Sequence, residues 1–385
     1  MNQSELVSRK RFAGRTLRHI GLALVASACW SGCTQLGIGP EDVGGFGDQP
    51  TPATGVPNPP PDRPETGANQ DGSYGRLQAG PDVTCYELKT HGSTASIDDT
   101  PFDVGVGDHT EQFYFHAPWP TGSVATGFAT IVDNAKVLHH WFLFRTDEDQ
   151  SEGSHVESPL PTLIGTNPVS LAVWGAGGPN LVAPADVGFE LPPNGALLNL
   201  QWSYSNTTGQ KQADASVVQI CVTPSAKRAH VASVSWLGTE DLNGNVWFGG
   251  AGMPPHQEST FSTTCVPGRR GLNASDPIHI VGFQPHMNAL GTRMQTEVVH
   301  ANGMVETLFD EPFQFGSEAH YFKRYDLLAG ERLTTRCTFN NTNDYGVPYG
   351  TTSDAEMCYQ FVYAYPAHAL ANEVASLLGL ADACW

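Results

Sequence analysis

From residue 85 to the C-terminus, apolar and polar positions alternate in short runs. In Leu198-Asn199-Leu200-Gln201-Trp202-Ser203-Tyr204 every second residue is apolar. That period predicts a strand with Leu198, Leu200, Trp202 and Tyr204 on one face and Asn199, Gln201 and Ser203 on the other. The stretches Gln112–His116, Val217–Val222, His230–Trp236, His279–Asn288 and Tyr359–Tyr365 read in the same style. Gly, Pro, Asn and Asp separate them as turn residues. Only Ala369–Leu380, where Ala, Leu and Glu cluster, predicts a helix. Many short strands divided by turns predict an all-β chain of antiparallel sandwiches.

One run departs from alternation. Val137-Leu138-His139-His140-Trp141-Phe142-Leu143-Phe144 is continuously apolar except for two adjacent histidines. Burying two imidazoles is costly unless their nitrogens are bound. Neighbours on a regular strand face opposite ways, so a ligand shared by His139 and His140 predicts a bulge or a twisted strand end. Neutral imidazole suits copper and zinc, which makes a transition metal the candidate ligand. The alternative is one core histidine bonded to a carbonyl and one at the rim.

Composition adds limits and an address. A chain of 385 residues predicts about two domains. Charged residues make up only 15%, and 41 Gly and 28 Pro fit a strand-and-turn protein. A net charge of -19 argues against nucleic acid, which requires a basic patch. Residues 1–33 read as an export signal: Arg9, Lys10, Arg11, Arg15 and Arg18 precede the apolar stretch Ile20–Ala28, too short for a permanent span. Ala26-Ser27-Ala28-Cys29 resembles a bacterial lipobox, and Ser31-Gly32-Cys33 is a second candidate. Neither carries leucine three residues before the cysteine, so lipidation at Cys29 or Cys33 and ordinary signal cleavage both stay open. The predicted locations are the periplasm, an outer-membrane lipoprotein or the cell surface of a bacterium, with any membrane contact made through the lipid. Residues 34–80, rich in Gly, Pro, Asp and Asn, predict a disordered linker.

Beyond the signal lie Cys85, Cys221, Cys265, Cys337, Cys358 and Cys384. An even number in an exported chain predicts disulfides, with fifteen pairings open in principle. Cys85 with Cys221 would clamp a first domain, and Cys337 with Cys358 would close a loop of about twenty residues, stabilising by roughly 3 kcal/mol in the chain-entropy model.

Four motifs then follow in order: His139-His140; Leu200-Gln201-Trp202-Ser203-Tyr204; His279 with His286; and Glu356-Met357-Cys358, preceded by Cys337-Thr338-Phe339-Asn340-Asn341-Thr342. From about Cys85 to Cys384 this series resembles the copper type II, ascorbate-dependent monooxygenases, the family of peptidylglycine alpha-hydroxylating and dopamine beta-monooxygenases. The resemblance implies two tandem antiparallel jelly-roll-like sandwiches, residues 81–224 and 225–385, each carrying one copper across a solvent-filled cleft. It implies the disulfides Cys85–Cys221, Cys265–Cys384 and Cys337–Cys358. It also implies up to two copper ions, with ascorbate or another reductant as co-substrate. The activity implied is hydroxylation of an activated C–H bond by O2, on an unidentified small-molecule or peptide substrate.

Carried over residue by residue, His139 and His140 match two ligands of the electron-transfer copper, and the third ligand position is Ser203. At the dioxygen-binding copper His286 and Met357 match and are the implied catalytic pair, while Asn288 replaces a histidine. Ser203 and Asn288 are weak ligands for copper, although strand parity predicts that His286 and Asn288 share a face. The substrate-facing positions are Gln284, where the peptide-hydroxylating members carry arginine, and Tyr359 and Phe361. His155, His256 and His320 read as ordinary surface or core histidines. Two readings follow: an exported copper monooxygenase with altered ligands, and a non-catalytic copper- or ligand-binding surface lipoprotein of the same descent. A purely structural sandwich that binds no metal is a third.

Overall fold

The computed structural model describes residues 75–89, 100–157, 168–239, 252–350, 354–372 and 382–384. The signal segment, Cys29, Cys33, most of the linker and positions 373–380 of the predicted helix lie outside the described residues. Residues 369–372 are bends and irregular chain rather than helix.

Alternation and β-branched or aromatic content produce twenty strands among the described residues. The first ten are β1 (Thr84–Lys89), β2 (Phe102–Val104), β3 (Gly107–His116), β4 (Ser123–Ile131), β5 (Leu138–Arg145), β6 (His155–Glu157), β7 (Val169–Gly175), β8 (Leu181–Val182), β9 (Val187–Glu190) and β10 (Leu197–Asn206). The others are β11 (Gln212–Asp214), β12 (Val217–Pro224), β13 (His230–Thr239), β14 (Gln257–Cys265), β15 (Ile278–His286), β16 (Gly291–Val299), β17 (Val305–Pro312), β18 (Tyr321–Leu327), β19 (Arg332–Asn341) and β20 (Cys358–Tyr365). All six strands expected from alternation form.

A nine-stranded sheet runs β1-β12-β4-β9-β13-β20-β15-β18, with β8 beside β4. A five-stranded sheet β6-β3-β10-β5-β7 and a four-stranded sheet β14-β19-β16-β17 stack on it, and β2 pairs with β11. The large sheet crosses from residues before 224 to residues after it through β9 and β13, the one parallel pairing between described strands.

Two cores result. Leu88, Phe113, Phe115, Phe128, Trp141 and Ile220 belong to the first. Phe283, Met294, Val298, Leu333, Phe339 and Val362 belong to the second. Strand β20 serves both: Tyr359, Phe361 and Tyr363 enter the first core, while Cys358, Val362 and Ala364 enter the second. A strand covered on both faces needs no polar alternation, which is why β20 is apolar apart from the buried Gln360.

The predicted polar face of β10 is also buried. Asn199, Gln201 and Ser203 are buried along with Leu200 and Trp202. Part of that face is hydrogen-bonded: the Asn199 amide donates to Gln112 Oε1 at 2.6 Å, and the Tyr114 hydroxyl donates to the same oxygen at 3.2 Å, while Asn199 Oδ1 has no hydrogen-bond partner. Three disulfides form, Cys85–Cys221 between register partners of β1 and β12, Cys265–Cys384, and Cys337–Cys358 between β19 and β20. They match the three pairs that the resemblance implies.

Candidate metal centre

Strand β5 is pinned from its core side by the Trp141 indole, whose Nε1 donates to Thr130 Oγ1 at 2.9 Å. Its pairing with β10 slips by one residue: Ser203 faces His140, but Tyr204 faces Leu138. His139 is the extra residue, and the slip is the bulge that two ligands on consecutive positions require. It brings His139 Nδ1 to 2.7 Å from His140 Nδ1. Both rings are buried. Burial, then the neighbouring His286, holds His139 down to about pH 4. Burial, then His139 and His286, holds His140 well below the usual imidazole range. Both are therefore neutral at pH 7, the protonation state a metal needs.

His286 ends β15 and pairs with Tyr359 of β20. Its ring stands edge-on to His140, with centroids 5.1 Å apart. Its Nδ1 lies 2.8 Å from Glu318 Oε2. A carboxylate only accepts, so Nδ1 carries the hydrogen, and in the neutral ring Nε2 then keeps a lone pair. That Nε2 is buried and has no hydrogen-bond partner. Glu318 reaches this position because residue 175 has no side chain: a Cβ on Gly175 would lie 2.0 Å from Glu318 Oε2. At Gly177, with φ +72°, a Cβ would lie 1.7 Å from the Gly316 carbonyl oxygen. The two loops therefore interlock, and Gly175 is itself the register partner of His140 on β7.

The two ligand sets thus meet rather than face each other over water. The solvent-filled cleft that the resemblance implies is replaced by a closed aromatic seam. Phe142 stacks on Trp236 at 5.5 Å and lies 5.8 Å from Phe361, and Phe315 covers His139 at 4.9 Å. The Trp236 indole donates to Ser170 Oγ at 2.6 Å, and the Gln284 amide donates to the Val173 carbonyl at 3.4 Å. Apolar rings on both faces, joined by hydrogen bonds across them, favour contact over hydration.

The remaining predicted residues divide. Met357 is buried one residue before β20 and belongs to the same core cluster as Tyr359 and Phe361. Ser203 stands directly across from His140 on the neighbouring strand, offering a hydroxyl at the third-ligand position. Asn288 does not continue the face of His286. Strand β15 stops at His286, and the Asn288 side chain is turned to donate to the Ala355 carbonyl at 2.8 Å, while its backbone N–H donates to Glu356. Gln284 is engaged by the Tyr363 hydroxyl at 2.7 Å, and Tyr359 meets Tyr349 hydroxyl to hydroxyl. His256 is bonded to Asp344 and His155 to Glu111, so neither supplies a missing ligand. Glu318 escaped the sequence reading. Its only signal is the glycine cluster Gly175-Ala176-Gly177-Gly178, which marks a close backbone approach.

The donor set fits copper in type and burial: three buried imidazoles, one with an unpartnered nitrogen, and the thioether of Met357 two residues before Tyr359, the strand partner of His286. The 2.7 Å between Nδ1 atoms is shorter than the about 3.3 Å between two nitrogens held tetrahedrally by one ion. The pair is therefore hydrogen-bonded as it stands, one ring donating and one accepting.

No curated protein matches the chain. Among solved structures, a candidate secreted protein of Parabacteroides distasonis ATCC 8503 is 8% identical over 75% of this chain and 85% of its own, with a TM-score of 0.18. Dimeric latent PorU from Porphyromonas gingivalis is 10% identical over 67% of this chain and 24% of its own, also with a TM-score of 0.18. Residues 243–376 match the copper type II ascorbate-dependent monooxygenase, C-terminal domain. That stretch holds His286, Glu318 and Met357, and over it the chain is similar to the copper type II ascorbate-dependent monooxygenases.

Proposed function

We propose that this chain is an exported copper protein of the monooxygenase type, with copper held by His139, His140 and His286. The observation that carries this reading is the meeting of three buried imidazoles, two held neutral and one presenting an unpartnered Nε2. Copper there would cycle between Cu(I) and Cu(II) and so accept electrons from ascorbate or another reductant. The protein's own contribution is to fix the donors: the bulge turns His139 toward His140, and Glu318 sets the His286 tautomer. Three disulfides agree with an oxidising, exported setting, free or lipid-anchored through Cys29 or Cys33.

Hydroxylation of an activated C–H bond is the activity this descent would give it. What favours it is the retention of Met357 in the core cluster that also holds Tyr359, the strand partner of His286. The non-catalytic reading, a copper-binding surface lipoprotein, is favoured by the closed seam and by Asn288 turned to Ala355. Copper titration of the purified chain tests the common part. Binding should be lost in His139→Ala/His140→Ala, and a chain that takes up no copper removes both readings. Ascorbate-driven oxygen uptake by the loaded protein then separates them, since turnover supports the enzyme and its absence supports the binding protein.

A further inference from the structure

Away from that centre, at the edge of the five-stranded sheet, β3 and β6 bring a second set of ligating side chains onto one face. His109 and Glu111 are two residues apart on β3, and the pairing sets Glu157 directly opposite Glu111 and His155 opposite Phe113. Among the described residues, His109, Glu111 and Glu157 are the one group of three whose ligand atoms all lie within 4.8 Å of one another.

The strand pairing crowds negative charge here. Two carboxylates directly opposite on neighbouring strands repel. Glu111 is only 5% exposed, so water screens it poorly. The third group points into the same charge. His109 Nε2 lies 3.1 Å from the Val106 carbonyl oxygen, which can only accept, so Nε2 carries the hydrogen. Its Nδ1 faces Glu157 Oε1 at 3.2 Å, so positive charge belongs between them, carried either by a proton on the ring or by a bound cation. An imidazole that gives its far N–H to a backbone carbonyl is also the arrangement in which ligating histidines are held.

The surroundings are built to keep these groups in place. The His155 ring stacks on Phe113 at 4.9 Å and lies edge-on to Phe102 at 5.1 Å. Its Nε2 is 2.5 Å from Glu111 Oε2, which fixes that carboxylate. Backbone packs close behind His109, where a Cβ on Gly105 would lie 2.9 Å from Nε2.

We propose that His109 Nδ1, Glu111 and Glu157 form a binding site for a divalent zinc ion, separate from the His139–His140 centre. One imidazole and two carboxylates, with a coordination position left for water, suit zinc; a donor set without thioether or thiolate is poor for Cu(I). The ion would fasten β6, a three-residue exposed strand, to β3.

The test is zinc titration of the chelator-stripped full chain, with bound metal counted by mass spectrometry or atomic emission. Wild type should bind a zinc whose affinity falls at least about tenfold in Glu157→Gln and in His109→Asn. Both side chains lie at the surface end of the cluster, and circular dichroism confirms that the variants fold. The same zinc should persist in His139→Ala/His140→Ala, and hydrogen exchange at residues 155–157 should slow when it binds. The proposal is overturned if wild type takes up no zinc, if both single variants bind as wild type does, or if the zinc is lost with His139 and His140 instead.

Discussion

The serine at position 203 stands where the resemblance implies a further copper-binding histidine. Its Cα is the strand partner of His140, so a side chain there projects beside the bulged pair. Ser203→His should add a fourth imidazole and tighten Cu(II) binding by at least about tenfold, the size of effect that a mere supporting contact already has. Introducing the ring into a buried strand should lower the stability of the metal-free form by about 1–3 kcal/mol. A chelator-competition titration and a urea melt read the two effects separately; unchanged affinity would remove Ser203 from the centre. Glu318 is the complementary case. Glu318→Gln keeps the shape in the niche over Gly175 but takes away the charge that makes His286 a stronger donor. Copper affinity should fall about 10- to 100-fold. If it does not, the His286–Glu318 bond is structural only.

At the scale of elements, Cys337–Cys358 ties β19 in the four-stranded sheet to β20 in the large one. With a sequence separation of 21 between the half-cystines, the chain-entropy model assigns it about 3 kcal/mol. The double variant Cys337→Ala/Cys358→Ala should lose about that much in denaturant unfolding, and a loss under about 1 kcal/mol would show that the native packing, not the crosslink, holds the two sheets. Strands such as β10 and β20 were readable because side chains on a strand repeat every two residues and both carry aromatic and aliphatic runs. The bulge at His139 was also readable, since two adjacent ligands permit little else. The burial of Asn199 and Gln201 was not, because it depends on partners such as Gln112 on another strand. Nor was the meeting of His140 with His286, which rests on β5 packing against a strand far along the chain. The end of β15 at His286 was missed for the same reason: the Glu356 carboxylate, far along the chain, captures the Asn288 and Leu290 N–H groups and turns the chain there.

At the scale of the whole molecule, one imidazole joins segments that are distant in sequence. His368 Nε2 lies 2.5 Å from Glu190 on β9, and its Nδ1 lies 2.7 Å from Asp382 near the C-terminus. Asp382 in turn accepts from the Ser170 N–H of β7 at 2.7 Å. The hydrogen bonds to Asp382 and then Glu190 raise the His368 pKa to about 10. In the unfolded chain it returns to about 6.5. Between those values the folded state keeps a proton that the unfolded state has released, so stability falls as pH rises. Below about 6.5 both states carry the proton and the contribution is complete. Solvent reaches about 30% of this side chain, and the interaction is weakened accordingly. The melting temperature of the chain should therefore decline from pH 6 to pH 10. His368→Asn, which tolerates the backbone φ of 61° at this position, should flatten that decline and lower the melting temperature most at pH 6. Parallel curves for the two proteins would mean that the His368 charge does not hold β9, β7 and the C-terminal segment together.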